Sequence, residues 1–104
     1  MIRIEGMASI DNLREALQLA CQAQHMSNII SGRNQIVALP RSWVLENIEK
    51  TAIETLDLGD DWEYRRLLEI ADLLRDSGLV SRLVTFGQQS VNPDVREVAE
   101  EWAA

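Results

Sequence analysis

Apolar residues recur along most of this chain at helical spacing, three and four positions apart. The first such run covers about Ser9 to Gln22, with Ile10, Leu13, Leu17, Ala20 and Cys21 on one face and Ser9 or Asp11 as the capping residue. From Gln24 to Leu39 this rhythm disappears. Ser27, Asn28, Ser31, Gly32 and Asn34 punctuate the stretch, yet Ile29, Ile30, Ile36, Val37 and Leu39 are strongly apolar. An apolar loop over 24–39 is the expectation, with Gln35–Leu39 as a short extended piece. A structureless connection longer than about 12–15 residues is unusual and is commonly functional. This one is too apolar for a free linker, so it straps across the domain or meets a partner.

Periodicity returns at Pro40, which suits a first helical turn. Leu45, Ile48, Ala52 and Leu56 make the buried line, Trp43 and Ile53 flank it, and Gly59 supplies a left-handed terminator. Asp60 followed by Glu63 is the pattern of a capped start. The next helix carries Tyr64, Leu67, Leu68, Ala71 and Leu74, closed by Gly78. A short helix follows with Leu79, Val80, Leu83 and Val84, ending near Gly87. Asn92 and Pro93 then open a last helix whose Val95, Val98, Ala99 and Trp102 face inward. No alternating pattern competes, so the fold class is all-α with about five helices.

Those helices divide into antiparallel pairs, residues 40–76 and 79–103, and the second helix of each pair opens alike. Glu63, Tyr64 and Arg65 correspond to Asp94, Val95 and Arg96 at an offset of 31 residues. A two-helix unit recurring at about 30–45 residues points to helical repeats. The run Asn92-Pro93-Asp94-Val95-Arg96-Glu97-Val98-Ala99 resembles the second-helix signature of HEAT-like repeats. That resemblance implies a short stack of hairpins over residues 40–104, in which Asp94 and Arg96 tie neighbouring repeats together. The string from Leu39-Pro40 to Leu68-Glu69 is also similar to a type of short bacterial protein that carries no assigned activity. One domain over 1–104 is expected: a flexible N-terminus over 1–8, a capping helix over 9–23, the apolar loop, then two HEAT-like hairpins or a compact bundle. Met1–Gly6 is compatible with a leader before a start at Met7. Two pairs are few for a solenoid, so helix one or a second copy in a homodimer must cover the stack's ends.

The chain has 104 residues and a net charge of −7. The charge is uneven: residues 1–42 sum to +1 and residues 43–104 to −8. Such an acidic block repels phosphate backbones and excludes nucleic acid as a partner. No apolar run approaches the ~18–20 residues needed to span a bilayer, and no signal peptide precedes the first helix. A single cysteine, Cys21, suits a reducing compartment, and a cytoplasmic protein is expected.

Chemistry is sparse. Cys21 and the only histidine, His25, lie about one turn apart, but Cys21 falls on the buried stripe, where a free thiol behaves as a small hydrophobe. Asp57, Asp60, Asp61 and Glu63 are the densest oxygen cluster, yet they lack a calcium loop's alternation and central glycine, and capping accounts for Asp60 and Glu63. No phosphate-cradling glycine loop and no nucleophile elbow is present. No catalytic residue, metal or cofactor is therefore expected.

Surfaces remain. Trp43 and Trp62 at helix starts, Arg65, Arg66 and Arg96 on the second helices, and Ile29 and Ile30 in the strap are the candidate partner-binding residues. They suit a protein–protein interaction or adaptor module. An immunity-type protein that masks a basic toxin is the alternative. On this reading, deleting Ser27–Asn34 leaves helicity by circular dichroism nearly intact. Leu68→Asp, which buries an unpaired carboxylate, abolishes it.

Overall fold

The computed structural model describes residues 8–103, and most of the expected N-terminal segment 1–8 lies outside that range. Among the described residues there are six helices and no strand: α1 (Ile10–Gln22), α2 (Met26–Ala38), α3 (Arg41–Thr55), α4 (Asp61–Leu73), α5 (Ser77–Gln88) and α6 (Pro93–Ala103). The all-α class is as the sequence implies, with one helix more. The chain groups into two compact units, Met1–Leu56 and Asp57–Ala104. That division falls inside the expected pair over 40–76, placing α3 in the first unit and α4 in the second.

In the first unit α1 is central, packing on both α2 and α3. Ser9 caps it, its hydroxyl oxygen accepting from the Asn12 amide at 3.1 Å. Leu13, Ala16, Leu17, Ala20 and Cys21 are wholly buried, whereas Ile10, expected inside, is 38% exposed. α3 turns Val44, Ile48, Thr51 and Ala52 inward. The buried Thr51 hydroxyl is satisfied by the Asn47 carbonyl at 2.8 Å, the local bond by which a helix accommodates a buried threonine.

The largest departure from expectation is the apolar loop over 24–39, which is helix α2. Its start is closed by the His25 carbonyl, which accepts from the Asn28 and Ile29 amides at 3.0 and 3.2 Å. The helix buries Ile29, Gly32 and Ile36 against α1. Gly32, which reads as a breaker, is the contact point. A Cβ placed on it would lie 2.7 Å from the Ala16 carbonyl oxygen and 2.5 Å from the Ala20 nitrogen. Two helix backbones therefore touch here, and only a residue without a side chain fits between them.

The second unit is a three-helix arrangement in which α4, α5 and α6 each pack on the other two. Asp60 caps α4 as expected, accepting from the Trp62 and Glu63 amides at 2.8 and 3.3 Å. Tyr64, Leu67, Leu68, Ile70 and Ala71 form its buried face. Asn92 caps α6 through the Asp94 amide at 2.9 Å, and its amide nitrogen reaches the Gly59 carbonyl at 2.7 Å, joining the start of α6 to the loop before α4.

Two glycines do not act as expected. No glycine among the described residues has positive φ. The chain leaves α3 through an extended Leu56, so Gly59 terminates nothing and donates to the Asp57 carboxylate at 3.0 Å. After α4 the left-handed position is taken by Arg75 at φ 54°, and Gly78 lies inside the first turn of α5, which Asp76 caps through the Leu79 amide at 2.8 Å. A left-handed L-residue costs roughly 1 kcal/mol.

Because Ser27–Asn34 supplies Ile29 and Gly32, its deletion removes two of the three α2 residues buried against α1. We now expect it to lower helicity substantially, as Leu68→Asp does in the second unit, where Leu68 is wholly buried. A second check concerns sign. In an open helix Gly→Ala stabilises by about 1 kcal/mol. At Gly32 the backbone of α1 cannot yield, so Gly32→Ala is expected to destabilise by about 1–3 kcal/mol in thermal melts. A gain in melting temperature would refute the close contact.

Candidate functional site

α2 is apolar on two faces. Ile29, Gly32 and Ile36 point to α1, while Met26, Ile30 and Val37 are 54%, 48% and 50% exposed. The adjacent pairs Ile29–Ile30 and Ile36–Val37 each send one side chain in and one out. Met26, Ile30 and Val37 stand four and seven residues apart, a spacing that keeps them on one side of the helix, and the part-buried Arg33, whose Nε is enclosed, lies between the last two. The row spans about 16 Å at 1.5 Å per residue. Uncharged Ser27, Ser31, Asn34 and Gln35 flank it, and α2 carries no carboxylate. Charge depletion around exposed apolar side chains characterises the centre of an interface.

The residues singled out from sequence fare unevenly. Ile29 is 1% exposed, so it belongs to the core and is no contact residue, whereas Ile30 beside it is open. Trp43 is half-buried, its carbonyl bonded to the Asn47 side chain at 2.8 Å. Trp62 is 47% exposed and lies under the Arg66 guanidinium, 4.1 Å from the ring centroid. Arg66 also reaches Glu69 at 3.2 Å, and Arg65 reaches Glu101 on α6 at 3.0 Å. Arg96 donates to the Ser90 carbonyl at 2.7 Å, bracing its own turn. The three arginines are thus engaged within the second unit. Met26 and Val37 were not singled out from sequence. Their signal was present as the two adjacent apolar pairs, which cancel one-sided periodicity when both faces of a helix are apolar.

Other concavities are less organised. A depression of about 830 Å³ at the α4–α5 turn is lined by Asp72, Leu73, Arg75, Asp76, Val80 and Ser81. Its Asp76 carboxylate is occupied in capping. A hollow of about 210 Å³ between the first turn of α1 and the end of α2, lined by Asn12, Gln35, Ala38 and Leu39, is smaller than ordinary ligand pockets of ~300–1,000 Å³. In the acidic cluster, Asp60 caps α4, Glu63 accepts from the Asp57 amide at 3.1 Å and Asp57 accepts from Gly59, so three of its four carboxylates serve the turn. Cys21 is buried, and His25 is exposed at the α1–α2 turn.

Tyr64 is a titratable group that is wholly buried. Its hydroxyl donates to the Leu83 carbonyl at 2.6 Å, and its ring lies over Gly87, where any Cβ would collide with it. Burial pushes its pKa from 10.0 up to about 12, with the Gly87 backbone pulling the other way. Buried and held on the Leu83 carbonyl, it fastens α4 to α5.

Among the described residues no helix is long and apolar enough to cross a membrane. No protein-family model matches the chain, and no curated protein or solved structure matches it significantly.

The Tyr64 phenol gives a pH signature. The unfolded phenol ionises near 10 and the folded one near 12, so the folded state holds its proton longer. Stability from this group is full below pH 10 and is lost as pH rises toward 12, by about 2–3 kcal/mol at the upper end. Denaturant melts should show this loss in the parent and not in Tyr64→Phe. Tyr64 is the only tyrosine, so tyrosinate absorbance follows it directly. A midpoint near 10 in the folded protein would disprove the burial argument.

Proposed function

We propose that this chain is a small protein–protein interaction or adaptor module without catalytic activity of its own, acting through the outer face of α2 in a cytoplasmic setting. The observation that carries this reading is the row of Met26, Ile30 and Val37, about half exposed on a helix whose other face is already buried. Small domains gain stability by burying apolar side chains, at roughly 1.5–3 kcal/mol for each one fully withdrawn from water. Three held outward in line, flanked by Ser27, Ser31, Asn34 and Gln35 with Arg33 as the one charged residue of the helix, suit a helix-in-groove or helix-pair contact. The buried free thiol of Cys21 fits a reducing compartment.

A second reading draws on a different surface. The outer side of α3 forms a depression of about 420 Å³ lined by Leu45, Glu46, Glu49, Lys50, Ile53 and Glu54. An apolar centre ringed by carboxylates favours a basic partner, as an immunity-type protein masking a toxin would require.

A photo-crosslinking residue at position 30, 53 or 97 separates these readings. In extracts of the source cells, adducts at position 30 above those at Glu97, and their loss with Met26→Ser and Val37→Ser together, are the expected result. Adducts confined to position 53 favour the immunity-type reading. No excess at either position overturns both.

A further inference from the structure

We draw no further inference here: the strongest candidate, the outward apolar row of Met26, Ile30 and Val37 on α2, is an unpartnered helix face, and nothing in the structure shows what covers it.

Discussion

The contact of Gly32 with the backbone of α1 at Ala16 and Ala20 fixes most of what is distinctive here. Once a residue without a side chain is wedged between two helices, the rotation of α2 about its own axis is no longer adjustable. Ile29 and Ile36, on the same side as Gly32, must go inward. Ile30 and Val37, one position further along, must go outward. The exposed row therefore follows from the packing of the buried row. A larger residue at 32 would press on the backbone of both Ala16 and Ala20.

The second unit uses the same device with a different filler. Gly87 on α5 leaves a space that the Tyr64 ring enters from α4, and the phenol closes on the Leu83 carbonyl one turn earlier. Backbone meets backbone at Gly32, whereas an aromatic ring meets backbone at Gly87. In both, a glycine inside a helix costs about 1 kcal/mol of intrinsic propensity and recovers it through close approach. The tyrosine socket adds a buried hydrogen bond, which makes it directional.

Local chemistry was legible in the sequence because it depends on neighbours in the chain. Asp60, Asn92 and Pro93 stand where their capping roles put them, and Leu67, Leu68, Ala71, Val95, Val98 and Ala99 are buried as a one-sided stripe requires. Glycine was not legible. Gly59 and Gly78 carry the composition of helix ends, yet an extended Leu56 and a left-handed Arg75 make those turns. Gly32 reads as a breaker and sits mid-helix, because what decides its role is Ala16 and Ala20, twelve or more residues away. The α2 face was half legible: Ile30 stood out beside Ile29, but a helix with two apolar faces has no single period to detect. The mark shared by Glu63–Arg65 and Asp94–Arg96 is present, but Arg96 is spent on the Ser90 carbonyl of its own turn and Arg65 on Glu101 of α6. Arg65 therefore links the expected pair over 40–76 to the pair over 79–103, whereas Arg96 stays within its own turn.

The uneven charge and the apolar row are two sides of one constraint. A 104-residue chain has too little interior to hide every apolar side chain, and a row left outside promotes indiscriminate association. Here the carboxylates are concentrated on α3, α4 and α6, and α2 has none. Like charge on α3, α4 and α6 works against contact between copies through those helices, and α2, whose one charged residue is Arg33, stands outside that protection. On the proposed docking role, selectivity would come from repulsion at other surfaces as much as from attraction at Met26, Ile30 and Val37.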